Sequence, residues 1–201
     1  MNSKKLYADL HHAFSFFNSR LFGGRLPDCA ITLERRRGAK GVHYTSNWAD
    51  QKSGELHDEI SLNPETFWRG GEDVLSTLVH EMCHLEQRAF GSPSRGGYHN
   101  REWARMMHAV GLQPYNIKEP EKETGPSCSH TVKEDGAFAK AWADLEAAGW
   151  SLDVMGLKGL KKASTAGKNK VKYTCPECGT NAWGKPELRV ICGDCDEELL
   201  P

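Results

Sequence analysis

The run His80-Glu81-Met82-Cys83-His84 constrains this chain more than any other five residues in it. On a helix, positions i and i+4 project in nearly the same direction, so both imidazoles can reach one metal ion. Glu81 stands one step round the helix, where its carboxylate can reach a water on that metal without ligating it. The five-residue pattern also occurs by chance, so its surroundings decide its meaning. At about 100° per residue, Leu75, Leu78, Met82 and Leu85 gather opposite His80 and His84. The spacing predicts a helix over about 72–90 that buries one face and turns both histidines the other way. Glu72 and Asp73 suit its positive end.

A catalytic zinc takes three protein ligands and keeps one position open. Two downstream residues are candidates for the third. His99 follows His84 after fourteen residues, and Glu102 comes three residues later. A second helix, expected over about 99–110, puts His99 on one face with Trp103, Met106 and Val110. Glu102 falls about 60° away from that direction. His99 is therefore favoured as the ligand, and Glu102 reads as a surface or supporting carboxylate. The ligand types suit zinc and also admit manganese.

The rest of the chain surrounds these two helices. Leu6, Leu10, Phe14, Phe17 and Leu21 recur at helical spacing over 4–22, and Gly23-Gly24 ends that segment. Strand-like runs follow at 29–33, around 42–44 and at 59–62. Together these give an α+β class with helices dominant. Residues 115–157 read as an extension of unclear role, polar and loop-like over 116–130, with one short helix over 137–148. Within it, Cys128 and His130 form a lone Cys-x-His pair expected to be incidental. His43, His57 and Tyr98 are candidate oxyanion donors, each equally readable as packing or surface.

Four of the seven cysteines sit near the C-terminus as Cys175-x-x-Cys178 and Cys192-x-x-Cys195, with thirteen residues between the pairs. That spacing suits a tetrahedral all-thiolate zinc site. With few apolar residues nearby, metal binding supplies the folding energy of such a module. Tyr173 and Trp183 are expected to pack around it, with base stacking the lesser reading. An odd cysteine count, clustered in this way, argues against a disulfide framework and for a reducing, cytoplasmic setting. The N-terminus does not read as a signal peptide. No run of 18 apolar residues exists, and the mean hydropathy is −0.61, so no membrane span is expected.

Between these parts, residues 158–172 carry six lysines and no acid among small polar residues. They read as a flexible basic linker. The net charge of −1 means that any contact with nucleic acid must come from such a local patch. Lys161, Lys162, Lys168, Lys170 and Lys172 are the candidate phosphate contacts. The expected division is 1–114 for the metal-binding domain, 115–157 for the extension, 158–172 for the linker and 173–201 for the cysteine module.

Several stretches together resemble the SprT-like family of zinc metallopeptidases, relatives of the Spartan proteases. They are His80-Glu81-Met82-Cys83-His84, Tyr98-His99-Asn100-Arg101-Glu102-Trp103, Phe22-Gly-Gly-Arg-Leu-Pro27, Glu59-Ile-Ser-Leu-Asn-Pro64 and the two cysteine pairs. The resemblance covers about 5–114 and 171–198. It implies a zincin-like peptidase domain followed by a zinc ribbon, with His80, His84 and His99 as zinc ligands and Glu81 as catalytic base. The family's third histidine is normally followed by glycine. Asn100 stands there in this chain, and a looser helix start is expected from it. The resemblance also implies protein substrates on DNA, including DNA–protein crosslinks.

The function expected is thus a cytoplasmic zinc endopeptidase with one catalytic and one structural zinc, acting on DNA-associated proteins, a monomer by default. One rival is a nucleic-acid or transcription-complex adaptor with an idle peptidase fold, against which the intact Glu81 argues. Another is a zinc peptidase without any nucleic-acid role.

Overall fold

The computed structural model describes residues 2–154 and 170–201. Two compact units, Met1–Leu160 and Lys161–Pro201, divide the chain. The first contains α1 (Ser3–Phe22), β1 (Ala30–Leu33), β2 (Gly41–Ala49), β3 (Leu56–Leu62), α2 (Gly71–Phe90), α3 (Arg101–Ala109), β4 (Leu112–Asn116), β5 (Cys128–Val132) and α4 (Ala137–Ala147). The second contains β6 (Val171–Thr174) and β7 (Asn181–Gly184).

Helix α1 starts where the Asn2 side chain accepts from the Lys5 N–H, and it stops at Gly23 with φ of 65°. Its apolar stripe, including Leu10, Phe14 and Phe17, lies in the core. Asn18 then fixes the exit by exchanging hydrogen bonds with the main chain of Leu26 at 3.1 and 3.2 Å. The chain enters a three-stranded sheet of order β1-β3-β2, with β1 parallel and β2 antiparallel to β3. Strand β2 is an edge whose register shifts between Tyr44 and Trp48. Asp58 on β3 secures that shift, accepting from the Ser46 N–H at 2.7 Å.

After β3, Asn63 caps a 3-10 turn over Pro64–Arg69 that leads into α2. Helix α2 is buried on nearly every side from Val74 to Gln87, so it is the axis of the domain rather than a surface helix. Leu75, Leu78, Met82 and Leu85 all lie in the core, on the face that the sequence pattern indicates.

The expected boundary at residue 114 is absent. Strands β4 and β5 form an antiparallel hairpin, and β5 begins inside the stretch 116–130 that the sequence pattern predicts as loop. Leu112, Phe138, Ala141, Leu145 and Trp150 share one core with α1 and α2. Phe138 of α4 stacks on Phe17 of α1 with ring centroids 5.4 Å apart, and Trp150 Nε1 donates to the Asp9 carbonyl at 2.9 Å. Burial of this apolar surface makes the segment part of the domain.

In the second unit, β6 and β7 pair antiparallel and place the four cysteines beside a small core of Tyr173 and Leu199. The class is thus mixed α+β with small sheets, ending in a four-cysteine cluster on a β-hairpin. Among the described residues no helix is long and apolar enough to cross a membrane.

Candidate metal centre

Helix α2 brings His80 and His84 to one side, as their spacing requires. His99 approaches from outside the helices. Helix α3 begins at Arg101 with Asn100 as its cap, so the shared-face argument for His99 does not hold. His99 instead pairs by main-chain hydrogen bonds with Gly125, 2.9 Å each way. Its Nδ1 lies 3.1 Å from the Gly125 carbonyl, which makes Nδ1 the protonated nitrogen and leaves Nε2 free. Gly125 has φ of 133°, and a Cβ there would stand 2.3 Å from Asn116 Nδ2, so only glycine fits this bridge.

The three histidines converge. One candidate ligand nitrogen from each lies within 4.8 Å of the others. The ring centroids are 5.3 Å apart for His80–His84, 5.6 Å for His80–His99 and 4.8 Å for His84–His99. Fully buried Trp103 packs against all three, with centroids at 4.9, 5.3 and 4.3 Å from His80, His84 and His99. Burial, reinforced by the neighbouring imidazoles, holds His80 and His84 well below the usual histidine range. Burial also lowers His99, against the opposing pull of the Gly125 carbonyl. Neutral imidazole is the form that offers a lone pair to a metal. Three neutral imidazoles with an adjacent carboxylate beside an open cleft fit a catalytic zinc.

Asn100 does not loosen the start of α3. Its Oδ1 accepts from the Trp103 N–H at 3.0 Å and from Gln87 Nε2 at 2.8 Å. Gln87 Nε2 also donates to Glu102 at 2.7 Å, and Glu102 accepts from the Ser92 N–H at 2.8 Å. Glu102 therefore fastens the loop at 91–100 to α2 and lies outside the histidine cluster, the supporting place expected of it.

Glu81 is buried and lines the same cleft of about 510 Å³ as the three histidines. Burial pushes its carboxyl up to about 8, opposed by a hydrogen bond from the main-chain N–H of His43. Gly41 of β2 presses against it, since a Cβ at that position would stand 2.9 Å from Glu81 Oε1. Of the candidate oxyanion donors, His43 and Tyr98 line the cleft and His57 does not. His43 Nε2 is engaged by Asp58 at 2.8 Å.

His130, expected to be incidental, is part of the site. It is on β5 and lines the cleft, with Nδ1 3.0 Å from His80 Nδ1 and Nε2 3.0 Å from Ser76 Oγ. Burial, aided by Lys40 and Arg69, pushes it down to about 3. The sequence signal for it is weak, because nothing in the local pattern marks the hairpin that carries it.

The SprT-like family model matches residues 10–124. The chain belongs to the SprT-like family. A protein of Salmonella typhimurium described as an uncharacterized protein in mucB 3'region is 39% identical to this SprT-like chain over 54 residues, covering 27% of this chain and 73% of that protein. No solved structure matches the chain.

The second candidate centre lies outside the family match. Cys175, Cys178, Cys192 and Cys195 offer sulfurs within 4.8 Å of one another. A hydrogen bond with Thr180, 3.2 Å from the Cys178 sulfur, holds that thiol below its usual range. Tyr173 is buried as expected, accepting from the Leu188 N–H at 3.0 Å and donating to the Lys185 carbonyl at 2.8 Å. Trp183 does not pack around the cluster and is 63% exposed. Alternation along β7 turns it outward opposite Lys172. Lys170 and Lys172 are exposed, whereas Lys161, Lys162 and Lys168 lie outside the described residues.

Proposed function

We propose that this SprT-like protein is a zinc-dependent endopeptidase acting on DNA-associated or DNA-crosslinked proteins. The convergence of His80, His84 and His99 beside Glu81 in one open cleft carries the peptidase part. When bound by the three imidazoles, zinc would supply Lewis-acid polarisation of a peptide carbonyl and acidify water at the site. Glu81 is the general base. Its carboxyl, which the positive charge of bound zinc would favour in the ionised form, is oriented by the His43 N–H. It takes a proton from the attacking water and delivers it to the leaving amine nitrogen as the C–N bond breaks. Gly41 and buried Trp103 keep the carboxylate and the imidazoles in place. The four cysteines would hold a second, structural zinc.

The DNA part is supported by charge. Exposed Arg36, Lys40, Arg88 and Arg95 line the cleft, and Glu81 is the sole carboxylate among its described lining residues. On the ribbon, Lys172 sits across the strands from outward-facing Trp183, a cation beside a stacking surface. The lysine-rich stretch at 158–172 adds cations that gain affinity by releasing counterions from phosphate.

The test is cleavage of a DNA-binding protein by the zinc-loaded full chain, with and without single- or double-stranded DNA, over a range of salt. DNA is expected to stimulate cleavage at low salt, with the stimulation fading as salt rises. Cleavage that ignores both DNA forms would remove the DNA part. DNA binding without cleavage would favour the adaptor reading.

A further inference from the structure

We infer that His130 is a positioning residue that selects the metal-binding tautomer of His80, through a relay that ends on the main chain of α2. This rests on the zinc-site reading above. His130 lies beyond the stretch matched to the family, and its sequence context gives it no role.

The protons can be assigned in sequence from one fixed end. Ser76 Oγ donates its single proton to the Asp73 carbonyl at 3.0 Å. Toward His130 the hydroxyl can then only accept, so the 3.0 Å contact is a hydrogen bond from His130 Nε2–H to Ser76 Oγ. The half-buried ring of His130 has Ser76 Oγ and His80 Nδ1 as its polar partners, and neither is an anion that would hold a second proton on it. Its Nδ1 is therefore a bare acceptor. That atom faces His80 Nδ1 at 3.0 Å, so His80 Nδ1 carries the hydrogen between them. His80 Nε2 is left as a lone pair, ready for the metal.

The alternative tautomer of His80 would carry its proton on Nε2 and would have to lose it before binding zinc. It would also set two bare Nδ1 atoms against each other at 3.0 Å. The relay opposes both. Ser76 and His80 are one turn apart on α2, and β5 inserts His130 between them. His99 obtains the same result from the Gly125 carbonyl. Two of the three proposed ligands thus have Nδ1 committed, one to a carbonyl and one to a histidine. Partners of this kind fix ring orientation and raise ligand basicity, and their loss typically costs about 10- to 100-fold in metal affinity.

The test uses the full chain and two readouts. In the first, cobalt and zinc affinity at the histidine site is measured by chelator competition. The site is separated from the ribbon by the lack of thiolate-to-cobalt charge transfer. His130→Phe, which keeps the bulk and removes the acceptor, is expected to weaken binding about 10- to 100-fold. Ser76→Ala is expected to weaken it less. His130→Gln, which retains both an acceptor and a donor, is expected to recover most of the loss. In the second, long-range proton–nitrogen NMR of the metal-free protein reads the His80 tautomer. Wild type is expected to show Nδ1–H, and His130→Phe a mixture.

His99→Ala is measured alongside. Wild-type metal affinity in His130→Phe, with loss in His99→Ala, would overturn the relay alone. Wild-type affinity in both would overturn the zinc-site reading and the relay together. Equal losses in His130→Phe and His130→Gln with an unchanged His80 tautomer would reduce His130 to a packing residue and overturn the proposal.

Discussion

Glu81→Gln is expected to lower turnover by roughly 10²- to 10⁴-fold while the chain keeps its full zinc content. The substituted amide matches the carboxylate in size and can still meet the His43 N–H, but it cannot take a proton from water. The Glu81 side chain is not among the three converging donors, so metal retention separates a base from a ligand. Loss of zinc in this variant would make Glu81 a ligand or a structural residue. Gly41→Ala is expected to give the same phenotype in weaker form. Its new methyl would stand 2.9 Å from both the Glu81 carboxylate and the Thr77 methyl, so it displaces side chains rather than any backbone. Zinc content and thermal midpoint are therefore expected to stay near wild type while turnover drops.

Cys175→Ser with Cys192→Ser is expected to remove one zinc per chain and to unfold the C-terminal unit. Among its described residues that unit has only Tyr173, Cys175, Cys192 and Leu199 as its buried core, too little apolar surface to fold by burial. Two of those four residues are proposed zinc ligands. Structural zinc contributes about 10–16 kcal/mol in modules of this size, so its loss outweighs all the other contacts there. The histidine site is expected to keep its zinc, because its ligands all belong to the first unit. Metal analysis and limited proteolysis of the double variant measure both effects. A ribbon that resists protease without zinc would contradict the structural role.

Much of the site is legible in the sequence, but not always for the right reason. Helix α2 is legible because its histidine spacing and its leucine pattern agree. His99 is favoured as third ligand on the basis of a helical face it does not share. Its position comes from a bridge to Gly125, a contact across 26 residues that no local periodicity encodes. Asn100 looks like a defect beside that histidine, yet its side chain caps α3 and ties it to Gln87. The β4–β5 hairpin is hidden because each strand has only five residues and Pro114 interrupts one of them. Proline is tolerated there because β4 is an edge strand. His130 is hidden with the hairpin, since its importance depends on what lies across from it. Strand β2 runs further than the sequence suggests, because much of its length is exposed and lacks the alternation that marks a half-buried strand.

Cleavage of a protein substrate by the zinc-loaded full chain, followed through chelation and zinc return, tests the histidine centre most directly. Cleavage is expected to fall in step with zinc stripped from His80, His84 and His99, and to return when zinc is restored. Cleavage that persists with those three histidines emptied of metal would contradict the assignment.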